Sequence, residues 1–194
     1  MKKKEKEDRD TGFSTTASLL REGLSMDNES FELTERIEEI MMMCDREQPV
    51  YEQISSFSIA LYTLGFFNCP DLMSFQDVDA HEAASILNDD FMEIRKEALP
   101  SDYCITASKE RYLLVIGDPL FPIHFAVFVN ALSPKPYFSK LPFFGAGFDS
   151  LEELEDEFAG IDGVTSKDIY FFKKIRYGEI PLKSRGKIYI IKND

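Results

Sequence analysis

A chain of 194 residues, 44% apolar with 17 Phe and no Trp, is long enough to bury a core without disulfides or metals. Its three cysteines (Cys44, Cys69, Cys104) are odd in number and lack Cys-x-x-Cys spacing. With no charged-then-apolar leader and only two histidines, this argues against a disulfide scaffold and a structural zinc site, and the expected compartment is the reducing cytoplasm. Residues 1–10 carry a net +1 and residues 165–194 a net +5, so the overall −13 leaves −19 on residues 11–164, a balance that disfavours general nucleic-acid binding and favours a basic protein partner.

In chain order, MKKKEKEDRD is a mixed-charge tail, and residues 1–27 are expected to be largely disordered. Residues 28–194 read as a single α+β domain. From about Ser30 to Arg46, Leu33, Ile37, Ile40, Met41 and Cys44 recur at helical spacing, with Glu32, Glu35, Glu38 and Glu39 opposite. Pro49 starts a second helix striped by Val50, Ile54, Phe57, Leu61 and Leu64, which Gly65 ends. A third stripe, Ala80, Ala83, Leu87, Phe91, Ile94 and Ala98, predicts a helix up to Leu99, with Asp77 as N-cap and a break at Asn88-Asp89-Asp90. No apolar run reaches the roughly 18 residues that would read as a membrane span.

From Tyr103 the period changes to strands. Tyr103 to Ala107 is a short strand candidate, and Tyr112 to Asn130 forms two apolar runs around a Gly-Asp-Pro turn signal, the central hairpin of a sheet covered on both faces. Tyr137 to Phe144 reads as an edge strand or loop because of its prolines. Phe144-Gly-Ala-Gly-Phe148 reads as a flexible loop before a capping box at Ser150 and Glu153, with a helix ending near Gly160; the acidic residues after it argue against a phosphate loop. Ile169 to Tyr177 and Lys187 to Lys192 are expected to pair as a final basic hairpin. The fold class is thus α+β: an N-terminal half of about three helices packed on a mostly antiparallel sheet with one inserted helix.

No motif fixes a chemistry, and no cofactor or metal is implied. His124, mid-strand among apolar neighbours, is the best candidate for proton chemistry, with Cys104 and Asp118 as companions that a strand pair could bring near; this is the basis of an alternative reading as a small hydrolase or transferase. Lys173, Lys174, Arg176, Lys183 and Arg185 interleave with apolar residues, a pattern able to bind an anionic ligand or single-stranded nucleic acid. The leading expectation is a non-catalytic regulatory protein of the inhibitor, immunity or adaptor kind. It engages a basic protein partner through Glu35, Glu38, Glu39, Asp89 and Asp90, and self-association of the acidic body with the basic hairpin is a further expectation.

Overall fold

The apolar runs flanking the Gly-Asp-Pro signal form the middle of a six-stranded antiparallel sheet. The computed structural model describes residues 28–46, 54–67, 71–72, 76–161 and 164–176. Its elements are α1 (Asn28–Met43), α2 (Ser56–Thr63), α3 (Ala80–Asp90), β1 (Phe91–Ile94), β2 (Tyr112–Asp118), β3 (Phe121–Phe128), β4 (Tyr137–Leu141), β5 (Gly145–Asp149), α4 (Leu151–Phe158) and β6 (Ile169–Lys174). The strand order β1-β6-β2-β3-β4-β5 gives the α+β class, with three helices before the hairpin and one between strands. The tail 1–27, the Pro49 helix start, the Cys69-Pro70 connector and the Lys187–Lys192 strand lie outside the described residues.

Alternation along β3 sends Phe125 and Val127 to one face and His124, Ala126 and Phe128 to the other, and all five are buried. Ring contacts show what covers each face. Phe57 of α2 meets Phe125 edge-on at 4.9 Å, while Phe158 of α4 lies 4.5 Å from His124 and Tyr103 stacks on Phe128 at 5.1 Å. Neither face is wet, which is why β2 reads as the unbroken run Leu113-Leu114-Val115-Ile116. A fully buried side chain such as Phe125 or Phe138 contributes about 1.5–3 kcal/mol.

Six local expectations are corrected. Tyr137–Leu141, expected at an edge or in a loop, is the inner strand β4 between β3 and β5, and Ile54, expected in the second helix, precedes it, since Ser55 is the extended N-cap of α2. The third helix stops at Asp90, and Phe91–Ile94 is a strand whose four residues pair with Lys174 back to Phe171. Phe91 and Ile94 satisfy a helical stripe three apart, but the ladder to β6 satisfies their backbone and stacks Phe91 on Phe66 at 5.4 Å. The N-cap of α3 is Asp79, which accepts the His81 and Glu82 N–H groups in a capping box; Asp77 instead accepts the Ser55 N–H at 3.0 Å and ties down the start of α2. Tyr103–Ala107 is turns rather than a strand, pinned to the end of β3 by Ile105 N–H to Val129 O and Ala131 N–H to Tyr103 O.

The last correction is the Gly-Ala-Gly stretch, which is strand β5 and not a flexible loop. Its glycines admit the chain that follows α1. A Cβ on Gly145 (φ +77°) would lie 2.3 Å from the Cys44 carbonyl oxygen, and one on Gly147 would lie 2.4 Å from Arg46 Nε. Ala146 N–H donates to Cys44 O at 2.6 Å, and Arg46 grips the buried Asp149 carboxylate with two bonds, at 3.0 and 2.6 Å. The stretch cradles backbone and guanidinium, not phosphate. The Ser150–Glu153 capping box opens α4 as its spacing requires.

Candidate functional site

The acidic face of α1 is the strongest site geometry in the described residues. Leu33, Ile40 and Cys44 are buried at helical spacing, so the intervening glutamates emerge on the other side. There they border an open cleft of about 410 Å³ lined by Glu32, Glu35, Arg36, Glu38, Glu39, Met42 and Tyr62. Two of these residues build its floor. Glu39 accepts the Tyr62 hydroxyl and the Leu72 N–H (2.9 Å), and Arg36 donates to Tyr62 O at 2.7 Å with its guanidinium 5.0 Å from the Tyr62 ring centroid.

Glu32, Glu35 and Glu38 remain exposed, and among the described residues no cation pairs with them. Spaced three apart, they repel one another by a few tenths of a kcal/mol per pair. Arg36, the one cation lining the cleft among the described residues, is already committed to Tyr62. Met42 stands 80% exposed at the rim, beside this unbalanced charge. Asp89 and Asp90 do not line the cleft: they close α3, and Asp89 accepts from the Asn88 side chain at 3.1 Å.

The trio expected around His124 is not assembled. His124 is 1% exposed, and its Nε2 is buried without a hydrogen-bond partner. Burial, and secondarily the Lys140 charge, lower its pKa to about 3, so the ring is neutral at physiological pH. Its register partner Ile116 and its ring neighbour Phe158 both line a second cavity of about 200 Å³, but His124 does not. Asp118 is exposed in the β2–β3 turn, where it accepts the Leu120 N–H. Cys104 bridges to Asn130 beyond the far end of β3, roughly 20 Å along the strand from His124 at 3.3 Å per residue. His124 is thus sealed in the core and apart from the two expected companions, Cys104 and Asp118.

The basic residues of β6 are likewise engaged within the fold. Lys173 pairs with Glu110 at 2.7 Å, and Arg176 reaches the same carboxylate at 3.8 Å. Lys174 Nζ donates to Leu64 O at 3.4 Å and lies 4.1 Å from the Phe66 ring centroid. β6 sits between β1 and β2, so this part of the expected hairpin is an inner strand; Lys183 and Arg185 lie outside the described residues.

Sequence reasoning missed Tyr62 as a cleft residue, because it lies in a helix that reads as nearly buried; the Met41-Met42-Met43 run suits either an adaptable surface or the core, and Met42 is exposed at the cleft. Sequence reasoning also missed the exposed turn residues Leu120 and Phe121 after β2 and Phe143 and Phe144 after β4, which share one end of the sheet since β2 and β4 run in the same direction. Among the described residues no helix is long and apolar enough to cross a membrane, and no group of three or more His, Cys, Asp or Glu could hold a metal ion. No protein-family model, no curated protein and no solved structure matches the chain.

Proposed function

We propose that the protein is a non-catalytic binding or regulatory protein whose α1 cleft receives a basic segment of a protein partner. The observation that carries this reading is the row Glu32, Glu35 and Glu38, exposed and paired with no cation among the described residues, beside an exposed methionine and an aromatic floor. A Lys- or Arg-rich segment relieves the repulsion along the row, while Met42 and Tyr62 supply adaptable and aromatic contact surface. Glu39 and Arg36 act as positioning residues, because their bonds to Tyr62 hold α1 against α2 and keep the cleft open. Asp89 and Asp90 fall outside this surface.

The test is affinity capture from the native lysate at low and high salt, with mass spectrometry, using the wild-type chain and Glu32→Gln/Glu35→Gln/Glu38→Gln as parallel baits. The reading requires a basic protein that the wild type retains at low salt and the variant does not. Partners retained equally by both baits would overturn it.

A further inference from the structure

We propose that the segment received by the α1 cleft carries a large apolar anchor directly beside its basic run, and that Met42, Phe143 and Phe144 hold this anchor. The inference rests on the reading of the cleft as a receiver of Lys and Arg side chains, and it adds the second half of the recognition.

The chain leaving α1 joins the cleft to the turn between β4 and β5. Residues 44–46 run beside β5 in the parallel sense, with Asp45 bridged to Ala146, and a Cβ on Gly145 would touch the Cys44 carbonyl oxygen. In a parallel alignment the residues before Cys44 lie toward the residues before Gly145. Met42 is two positions from Cys44 and Phe144 is next to Gly145, so the rim of the cleft and the turn meet at one corner of the sheet. At that corner Met42 is 80%, Phe143 78% and Phe144 55% exposed. Phe143 also holds a φ of +66°, an unfavourable backbone region for a bulky residue, and so keeps its ring in water at a cost that the turn does not recover by burial.

Area and charge select the occupant. Three such side chains present roughly 400 Å² of apolar surface, about half of what each partner of a standard interface buries, so the corner suits a few side chains of one segment rather than a second copy of the chain. Glu32, Glu35 and Glu38 lead along α1 toward it, and the carbonyl end of α1, where cations are favoured, has no basic residue in its last turn. This row repels an anionic lipid surface and attracts a run of Lys or Arg. From Glu32 to Met42 the helix rises roughly 15 Å, the length of about five extended residues. A segment with that many basic residues along the row places its next residues, Leu or Phe, on Met42 and the two rings.

Fluorescence anisotropy of the full chain at low salt, with three synthetic peptides, tests this. One is a six-residue Lys/Arg peptide; the others carry Leu-Phe-Leu after it or before it, so that both chain directions are sampled. The wild type is expected to bind one anchored peptide about tenfold more tightly than the plain one. Phe143→Asn/Phe144→Ser, with Asn chosen because it tolerates the left-handed backbone, is expected to abolish that gain and leave the plain peptide within about twofold of wild type. Leu120→Ser/Phe121→Ser removes an exposed apolar pair at the same end of the sheet, but β4 and β5 separate it from residues 44–46, and the gain is expected to survive. Glu32→Gln/Glu35→Gln/Glu38→Gln is expected to weaken all three peptides. Far-ultraviolet circular dichroism checks that each variant is folded. A plain peptide that binds through the glutamates, with no gain from either anchor, would overturn this inference and leave the reading of the cleft standing. A gain kept by Phe143→Asn/Phe144→Ser, or lost equally in Leu120→Ser/Phe121→Ser, would overturn the assignment to this corner. No binding of any peptide, or binding indifferent to the glutamates, would overturn the inference together with the reading beneath it.

Discussion

Gly147→Ala tests whether the Gly-Ala-Gly stretch exists to seat Arg46. The added Cβ would meet Arg46 Nε at 2.4 Å, Cζ at 2.5 Å and Nη2 at 2.8 Å, all in a flexible side chain that can swing away. The cost therefore lies in what the guanidinium abandons. The Asp149 side chain is 4% exposed and Arg46 33%, so moving Arg46 leaves a buried carboxylate without its two charge-assisted bonds. Breaking a buried pair from one side costs about 3–5 kcal/mol, and the partial exposure of Arg46 brings the expected loss to about 2–3 kcal/mol. Urea unfolding of wild type, Gly147→Ala, Arg46→Ala and the double variant reads this as a cycle. Each single change is expected to cost about 2–3 kcal/mol, and the alanine at 147 close to nothing once Arg46 is gone. An equal cost for Gly147→Ala in both backgrounds would mean that Gly147 does not act through Arg46. Gly145→Ala is the contrast: its clash is with backbone and its φ is +77°, so its cost is expected to persist without Arg46.

Two further outcomes follow from buried groups. Because the folded pKa of His124 is lowered from 6.5 to about 3, both states are neutral above pH 6.5, and below it only the unfolded chain takes the proton. Stability is then lost at about 1.4 kcal/mol per pH unit as pH falls through this window, so His124→Phe should remove about 2 kcal/mol of the wild-type loss between pH 6.5 and 5; identical acid limbs in urea midpoints would contradict this. Arg111 is 5% exposed and its Nη1 donates to the carbonyls of Ile105 (3.4 Å), Ser108 (2.5 Å) and Glu110 (2.8 Å). Arg111→Ala removes the guanidinium donor to the Ile105 and Ser108 carbonyls, while Glu110 O keeps the Tyr103 hydroxyl, and is expected to cost about 2–4 kcal/mol in urea unfolding, whereas a cost under about 1 kcal/mol would mean that water replaces it.

Much of the fold is legible in the sequence where one physical signal acts alone. The hairpin from Tyr112 to Phe128 is marked by two apolar runs and a turn signal, and the start of α4 by the Ser150–Glu153 box. The signal fails where a distant segment decides. Phe91 and Ile94 fit a helix locally, and only the ladder to β6, some eighty residues away, makes them a strand. Gly145-Ala146-Gly147 has almost no side chains to show a period of two, because the space they would fill belongs to Cys44 and Arg46. The acidic side of α1 is legible from Glu35, Glu38 and Glu39, but the separate duty of Glu39 depends on Tyr62 and Leu72 arriving from elsewhere. The isolation of His124 from Cys104 and Asp118 is likewise a matter of register and strand length, which spacing alone does not encode.

If the α1 carboxylates receive a basic segment, their charge is read out by titrating the captured basic partner at two salt concentrations. Wild type and Glu32→Gln/Glu35→Gln/Glu38→Gln are measured side by side. Three exposed charges at about 0.3–1 kcal/mol each make the variant about tenfold weaker at low salt, with the gap closing as salt rises. Equal affinities at low salt, or a gap that salt leaves unchanged, would contradict the account.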